Sequence, residues 1–145
     1  MSCSSDEQVS IETQFQSEDA MYREAFNELK AGNYQKSSDL FNELDLMHPY
    51  SRWAAKGQLM SGFALYQANK YEEAIFALNK FINLNPNDKN LDYAFYLKGY
   101  CYYERMNEVS RDQVIAKKAI QTFNELKNKF PTSKYSLKAV NHIKL

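Results

Sequence analysis

Glycine and proline are scarce in this chain of 145 residues, with four and three copies, and tryptophan occurs once. Because so few residues interrupt a helix, most of the chain can run as continuous helix. No apolar run approaches the roughly 20 residues that a membrane-spanning helix needs. The length allows one domain with a sizeable core and is too short for two comfortable ones. These absences favour a single helical domain.

Patterns that would indicate catalysis or metal binding are also missing. The two histidines, His48 and His142, have no Cys, Asp or Glu at the spacing of zinc ligands. Cys3 and Cys101 are too far apart for a CxxC motif, and Cys101 lies in a helical run where a small buried thiol is expected. The sequence has neither a glycine-rich phosphate loop nor a GxSxG motif. We therefore expect no enzyme activity, no metal and no cofactor.

The formal net charge is zero, but the charges are unevenly placed along the chain. Residues 1–50 carry 3 Lys or Arg and 10 Asp or Glu, whereas residues 111–145 carry 8 and 2. Solvated helix faces would explain this, and the alternative is a basic end that meets an acidic partner or an anionic membrane surface. Overall neutrality argues against nucleic acid as a ligand.

One set of residues recurs along the chain at a spacing of 37. Each unit has a small residue in its first helix. Its second helix has another small residue and, four positions later, a large apolar residue. A proline follows the second helix and closes the unit. The matching sets are Ala25, Ser37, Phe41, Pro49; Gly62, Ala74, Leu78, Pro86; and Gly99, Ala119, Phe123, Pro131. Within the third unit the spacing becomes 45, because about eight residues are added near 106–111. This periodicity is typical of a stack of helical hairpins.

Apolar residues at three- and four-residue steps predict helices near 18–31, 34–47, 51–68, 71–84, 90–106, 112–129 and 133–144. A helix should end before each proline of the repeat. The predicted fold is all-α: a tetratricopeptide-repeat superhelix of about three hairpins (18–50, 51–87 and 88–132) and the first helix of a fourth, cut short (133–145). Residues 1–17 are acidic and predict a flexible tether.

In the tetratricopeptide architecture, the first helix of each hairpin lines a concave groove. The groove positions here are mostly aromatic and uncharged, which suits an extended peptide with apolar or aromatic side chains. Packing of some rings as core remains the alternative. At the groove positions where tetratricopeptide co-chaperones clamp a carboxylate with Lys and Asn, this chain has apolar or aromatic residues: Tyr22, Phe26, Leu59 and Phe63. The predicted peptide-binding residues are Tyr22, Phe26, Leu59, Phe63, Tyr66, Tyr93, Tyr96, Tyr100 and Tyr103.

Several segments resemble one family; residues 81–99 distinguish it from generic repeats, and the other segments would fit several periplasmic repeat proteins. The matching segments are HPYS at 48–51, ALY at 64–66, YEEAI at 71–75, FINLNP at 81–86, LDYAFYLKG at 91–99, RDQ at 111–113 and FPTSKY at 130–135. The chain resembles the BamD (ComL/YfiO) family, the tetratricopeptide lipoproteins of the outer-membrane β-barrel assembly machinery. The resemblance implies a non-catalytic periplasmic scaffold that binds unfolded outer-membrane proteins, through C-terminal aromatic strand signals, and other subunits, chiefly the barrel subunit.

The same resemblance places Cys3 where the family carries the lipid of the mature protein, which implies anchoring to the periplasmic face of the outer membrane. No hydrophobic signal region precedes Cys3 in the sequence as written, so this form would behave as a soluble fragment. Two alternatives remain open: a periplasmic tetratricopeptide adaptor of the Tol-Pal or cell-division type, and a homo-oligomeric repeat adaptor.

Overall fold

The structure, a computed structural model, describes residues 16–108 and 113–143. Seven helices and no strand occur in this part of the chain. In chain order they are α1 (Glu18–Lys30), α2 (Tyr34–Met47), α3 (Ala54–Gln67), α4 (Tyr71–Leu84), α5 (Leu91–Glu108), α6 (Gln113–Lys129) and α7 (Lys134–Ile143). The predicted all-α fold is confirmed. Of residues 1–17, which were predicted to form a tether, residues 1–15 lie outside the described residues.

Each helix packs chiefly on its neighbours in the sequence, which is the arrangement of stacked helical hairpins. The hairpins are α1 with α2, α3 with α4, and α5 with α6, followed by α7. We call α1, α3, α5 and α7 the A helices, and α2, α4 and α6 the B helices. Neighbouring A helices, α3 with α5 and α5 with α7, approach each other more closely than neighbouring B helices do. The A-helix face is therefore the inner side of the stack.

The turns inside the first two hairpins share one backbone geometry. Gly32 and Asn69 stand 37 residues apart and have positive φ angles of 84° and 60°. Each ends an A helix in a Schellman motif, in which the next residue, Asn33 or Lys70, donates its N–H to a carbonyl five residues back. Glycine and asparagine are the residues that adopt this left-handed conformation most readily. The repeat thus extends to the turns.

Each B helix ends two residues before a proline of the repeat, at Met47, Leu84 and Lys129. This confirms the expected helix ends, since the residue before proline is disfavoured in the helical conformation. One boundary was predicted differently: α3 begins at Ala54 and not near residue 51. The reason is local, because the Ser51 hydroxyl accepts the Trp53 N–H and holds these residues in a turn.

The core is built where the A and B helices of one hairpin cross. A Cβ added to Gly62 would lie 2.8 Å from Leu78 Cδ2, and one added to Gly99 would lie 2.5 Å from Phe123 Cε1. The first hairpin has Ala25 at this position, and the buried Ser37 hydroxyl donates to the Ala25 carbonyl at 2.8 Å. The small residues therefore let each pair of helices approach closely, and the large residue opposite fills the remaining space.

Candidate functional site

The predicted groove residues recur every three or four positions on α1, α3 and α5, so they share the A-helix face. Their exposure differs. Tyr22 is 9% exposed and Leu59 is 4% exposed, so these two side chains belong to the core and offer little surface to a ligand. The remaining seven are partly exposed: Phe26, Phe63, Tyr66, Tyr93, Tyr96, Tyr100 and Tyr103.

The indole of Trp53 explains the burial of Tyr22. Its ring stacks on the Tyr22 phenol with centroids 4.5 Å apart and planes at 19°. Trp53 Nε1 donates to the Asp19 carboxylate, which also pairs with Arg52 at 3.1 Å. The hydrogen bonds from Trp53 and then Arg52 lower the pKa of Asp19. This end of the A-helix face is therefore closed by packing.

Beyond that end, aromatic rings form a continuous surface across α3 and α5. Tyr66 and Tyr100, on different helices, meet edge to face at 5.9 Å, and Tyr100 is 5.9 Å from both Tyr96 and Tyr103. Phe63 lies 6.5 Å from Tyr66 and extends the row toward α1. We call these five residues the tyrosine surface.

Helix α7 adds two rings to this surface that are not among the predicted groove residues. Tyr135 lies 5.4 Å from Tyr96, and His142 lies 5.1 Å from Tyr100 and 4.9 Å from Tyr103. The repeat register was the available signal for Tyr135, because it follows Pro131 by four residues as Trp53 follows Pro49. Both positions place a ring over the A helix of the preceding hairpin.

Two cavities flank the tyrosine surface. One of about 360 Å³ opens between α1 and α3, and Phe26, Met60 and Phe63 are among the residues that line it. The other, of about 180 Å³, lies between α5, α6 and α7, with Tyr103 and His142 in its wall. The surface therefore offers places for apolar side chains at both of its ends.

Burial shifts the pKa values of several phenols on the A-helix face. It raises the pKa of Tyr66 to about 12, with neighbouring Tyr100 and Glu104 adding to the effect. It also raises the pKa values of Tyr93, Tyr96 and Tyr100. These four phenols keep their protons at neutral pH and can both donate and accept hydrogen bonds. The surface is thus uncharged but rich in hydrogen-bonding groups.

Other kinds of site have little support in the described ranges. No cluster of three or more His, Cys, Asp or Glu side chains there could hold a metal ion. Cys101 is fully buried, as predicted, and burial raises the pKa of its thiol to about 12, so it remains a neutral packing group. Among the helices of residues 16–108 and 113–143, none combines the length and apolar character needed to cross a membrane. Cys3, the predicted lipid site, lies outside the described residues.

The sequence is similar to one family of known proteins. The family described as "YfiO: Outer membrane lipoprotein" matches residues 14–145. Proteins named "Outer membrane protein assembly factor BamD" are similar in sequence: that of Caulobacter vibrioides is 36% identical over 82% of this chain and 39% of its own length. The protein from Rickettsia prowazekii is 33% identical over 81% of this chain and 47% of its own length. The protein from Neisseria meningitidis is 34% identical over 88% of this chain and 51% of its own length. The chain spans about half the length of these relatives, or less.

Proposed function

Since this chain belongs to the YfiO family of outer membrane lipoproteins, we propose that it is a non-catalytic scaffold in outer-membrane protein assembly. In this proposal it binds extended segments of unfolded outer-membrane proteins, including their C-terminal aromatic strands, and contacts other assembly subunits, chiefly the barrel subunit. Cys3 would carry the lipid that anchors the protein at the periplasmic face of the outer membrane. The names of the relatives support an assembly role more directly than an adaptor of the Tol-Pal type.

The observation that carries the substrate proposal is the tyrosine surface. Its rings are partly exposed, uncharged and contiguous from α3 to α5, and cavities lie at both ends. Aromatic faces bury apolar side chains well, and protonated phenols can hydrogen-bond to the backbone of an extended peptide. Such a surface favours apolar and aromatic segments without demanding one sequence, as a factor serving many substrates requires.

The proposal also narrows the set of contact residues. Tyr22 and Leu59 are core residues, and Tyr93 packs against Tyr135 of α7 at 5.1 Å. Direct contact with the peptide is assigned to Phe26, Phe63, Tyr66, Tyr96, Tyr100 and Tyr103. Tyr135 and His142 extend this set on α7.

Titration of a β-strand peptide with a C-terminal phenylalanine tests the proposal, with affinity measured by fluorescence anisotropy. Tyr100→Ala should weaken binding about tenfold, because alanine removes a central ring. Tyr100→Phe should lose less, since it keeps the ring and removes only the hydroxyl. The matched control is Phe76→Gln, an exposed ring on the B-helix side that should leave the affinity unchanged. Equal affinities of the wild type and Tyr100→Ala would exclude the tyrosine surface as the peptide site.

A further inference from the structure

A second apolar groove lies on the B-helix side of the stack, between α2 and α4. Its volume is about 460 Å³, and Leu65 of α3 is at its floor. Leu46 and Phe76 form opposite walls and are 79% and 76% exposed. We call this the α2–α4 groove. Large apolar side chains in a shared, open depression are typical of surfaces that bind a protein partner.

The repeat itself does not require these apolar residues. Leu46 corresponds to Asn83 in the second unit and Asn128 in the third, and Phe76 corresponds to Asp39 and Gln121. Both positions are therefore polar in the other two units. Because the same fold is built with polar residues there, the apolar walls of this groove are not explained by the helical packing.

The charges at the groove also differ from those at its counterpart one unit further on. Glu72 and Glu73 line the α2–α4 groove, whereas the corresponding residues beside the α4–α6 interface are Lys117 and Lys118. The one lysine that lines the α2–α4 groove, Lys80, is paired with Asp45 at 2.6 Å. The two regions thus carry opposite charge on related positions.

One end of the α2–α4 groove is closed by hydrogen bonds. Gln58 donates to Asp45 at 2.8 Å and accepts from Asn85 at 2.9 Å, next to the Lys80 ion pair. The polar groups at that end satisfy each other. At the other end, Glu72 contacts Arg105 of α5, and no cation among the described residues lies within ion-pair distance of Glu73. The groove therefore presents apolar walls and, at its acidic end, a carboxylate that has no ion-pair partner in the part of the chain that the structure describes.

We propose that the α2–α4 groove binds a basic amphipathic helix of a partner protein. Apolar side chains one turn apart on that helix insert between Leu46 and Phe76, and a Lys or Arg of the same helix pairs with Glu73. Helices that bind in grooves use such anchors at i, i+4 and i+7. The proposal does not depend on the tyrosine surface, because the two surfaces lie on opposite sides of the stack.

Two synthetic helical probes test the proposal: one with leucines at i, i+4 and i+7 among lysines, and one with the same leucines among glutamates. Affinities for the intact chain are measured by fluorescence anisotropy. The lysine probe should bind more tightly than the glutamate probe. Leu46→Asn with Phe76→Gln should weaken the lysine probe about tenfold or more. Because these variants copy residues of the other units at exposed positions, the fold should be retained.

Charge reversal separates specific docking from general adhesion of an apolar peptide. Glu72→Lys with Glu73→Lys copies the third unit and should shift the preference toward the glutamate probe. Leu137→Gln serves as the control, because this exposed apolar side chain of α7 lines neither the groove nor the tyrosine surface, and it should leave the affinity for either probe unchanged. The proposal is overturned if the wild type binds both probes alike or if the Leu46 and Phe76 changes have no effect. It is also overturned if sedimentation reveals a self-association that Phe76→Gln abolishes, since a second copy would then occupy the groove.

Discussion

In the first hairpin, the Tyr22 ring is covered by Trp53, with centroids 4.5 Å apart. In the third hairpin, the repeat places Tyr96 at the position of Tyr22 and Tyr135 at the position of Trp53, with centroids 5.4 Å apart. Tyr22 is buried, whereas Tyr96 is partly exposed. A phenol covers less of its neighbour than an indole does. The comparison shows how one repeat position becomes core in one unit and surface in another.

The largest expected difference between the two hairpins is in the cost of truncating these tyrosines. Tyr22→Ala should lower the free energy of unfolding by about 3–5 kcal/mol, as for other buried aromatic side chains. Tyr96→Ala should cost roughly half as much, because part of its ring is already in water. Urea unfolding monitored by circular dichroism measures both values. Equal costs would contradict the assignment of Tyr22 to the core and Tyr96 to the surface.

The helix crossings give the next largest effect. Gly99→Ala should lower the free energy of unfolding by about 1–3 kcal/mol, because its methyl group would lie 2.5 Å from Phe123 Cε1. The first hairpin tolerates a methyl group at the same crossing, since Ala25 occupies it. A Gly99→Ala variant as stable as the wild type would contradict the steric requirement for glycine at this crossing.

Gly57→Ala is the matched control for this steric argument. A Cβ at Gly57 would meet its nearest neighbour, Phe41 Cδ1, at 3.5 Å, which is ordinary contact. Within a helix, replacing glycine by alanine then stabilises by roughly 0.5–1 kcal/mol. Thermal and urea unfolding should therefore give opposite signs for Gly57→Ala and Gly99→Ala. The same sign for both would indicate that helix propensity, and not the crossing, decides the outcome.

Much of this fold could be predicted from the sequence because the repeat imposes it locally. Prolines and apolar spacing predict most helix bounds to within two residues, and the small residues at 62 and 99 indicate where the A and B helices cross. The start of α3 was predicted about three residues early, because a side-chain hydrogen bond from a turn has no periodic signal.

The candidate site was less predictable, since exposure depends on which ring covers which. Tyr22 and Tyr96 occupy the same repeat position, but the ring that covers them differs: Trp53 covers Tyr22 and Tyr135 covers Tyr96. The contribution of His142 depends on how α7 packs against α5. Single-residue patterns on an A helix do not contain these contacts between hairpins.

Exchanging the covering rings tests that explanation with a smaller expected effect on stability. Tyr135→Trp should make the third hairpin resemble the first, covering Tyr96 further and stabilising the fold by up to about 1 kcal/mol. It should also weaken binding of the aromatic strand peptide, because less of the Tyr96 ring remains exposed. Urea unfolding and the anisotropy titration measure the two effects. Unchanged stability with unchanged binding would show that the covering ring does not control exposure of Tyr96.

The smallest expected effect is a loss of stability at alkaline pH that originates in the tyrosine surface. Burial raises the folded-state pKa of Tyr66 from an ordinary value near 10 to about 12. The folded state therefore binds the proton more tightly, so this contribution is complete below about pH 10 and is lost as the pH rises toward 12. Burial raises the pKa values of Tyr96 and Tyr100 as well.

The urea concentration at the unfolding midpoint should therefore fall between pH 9 and roughly 11. Tyr66→Phe should reduce the slope of the midpoint against pH, because phenylalanine has no proton to lose. An unchanged slope in Tyr66→Phe would show that the alkaline loss of stability does not originate at Tyr66.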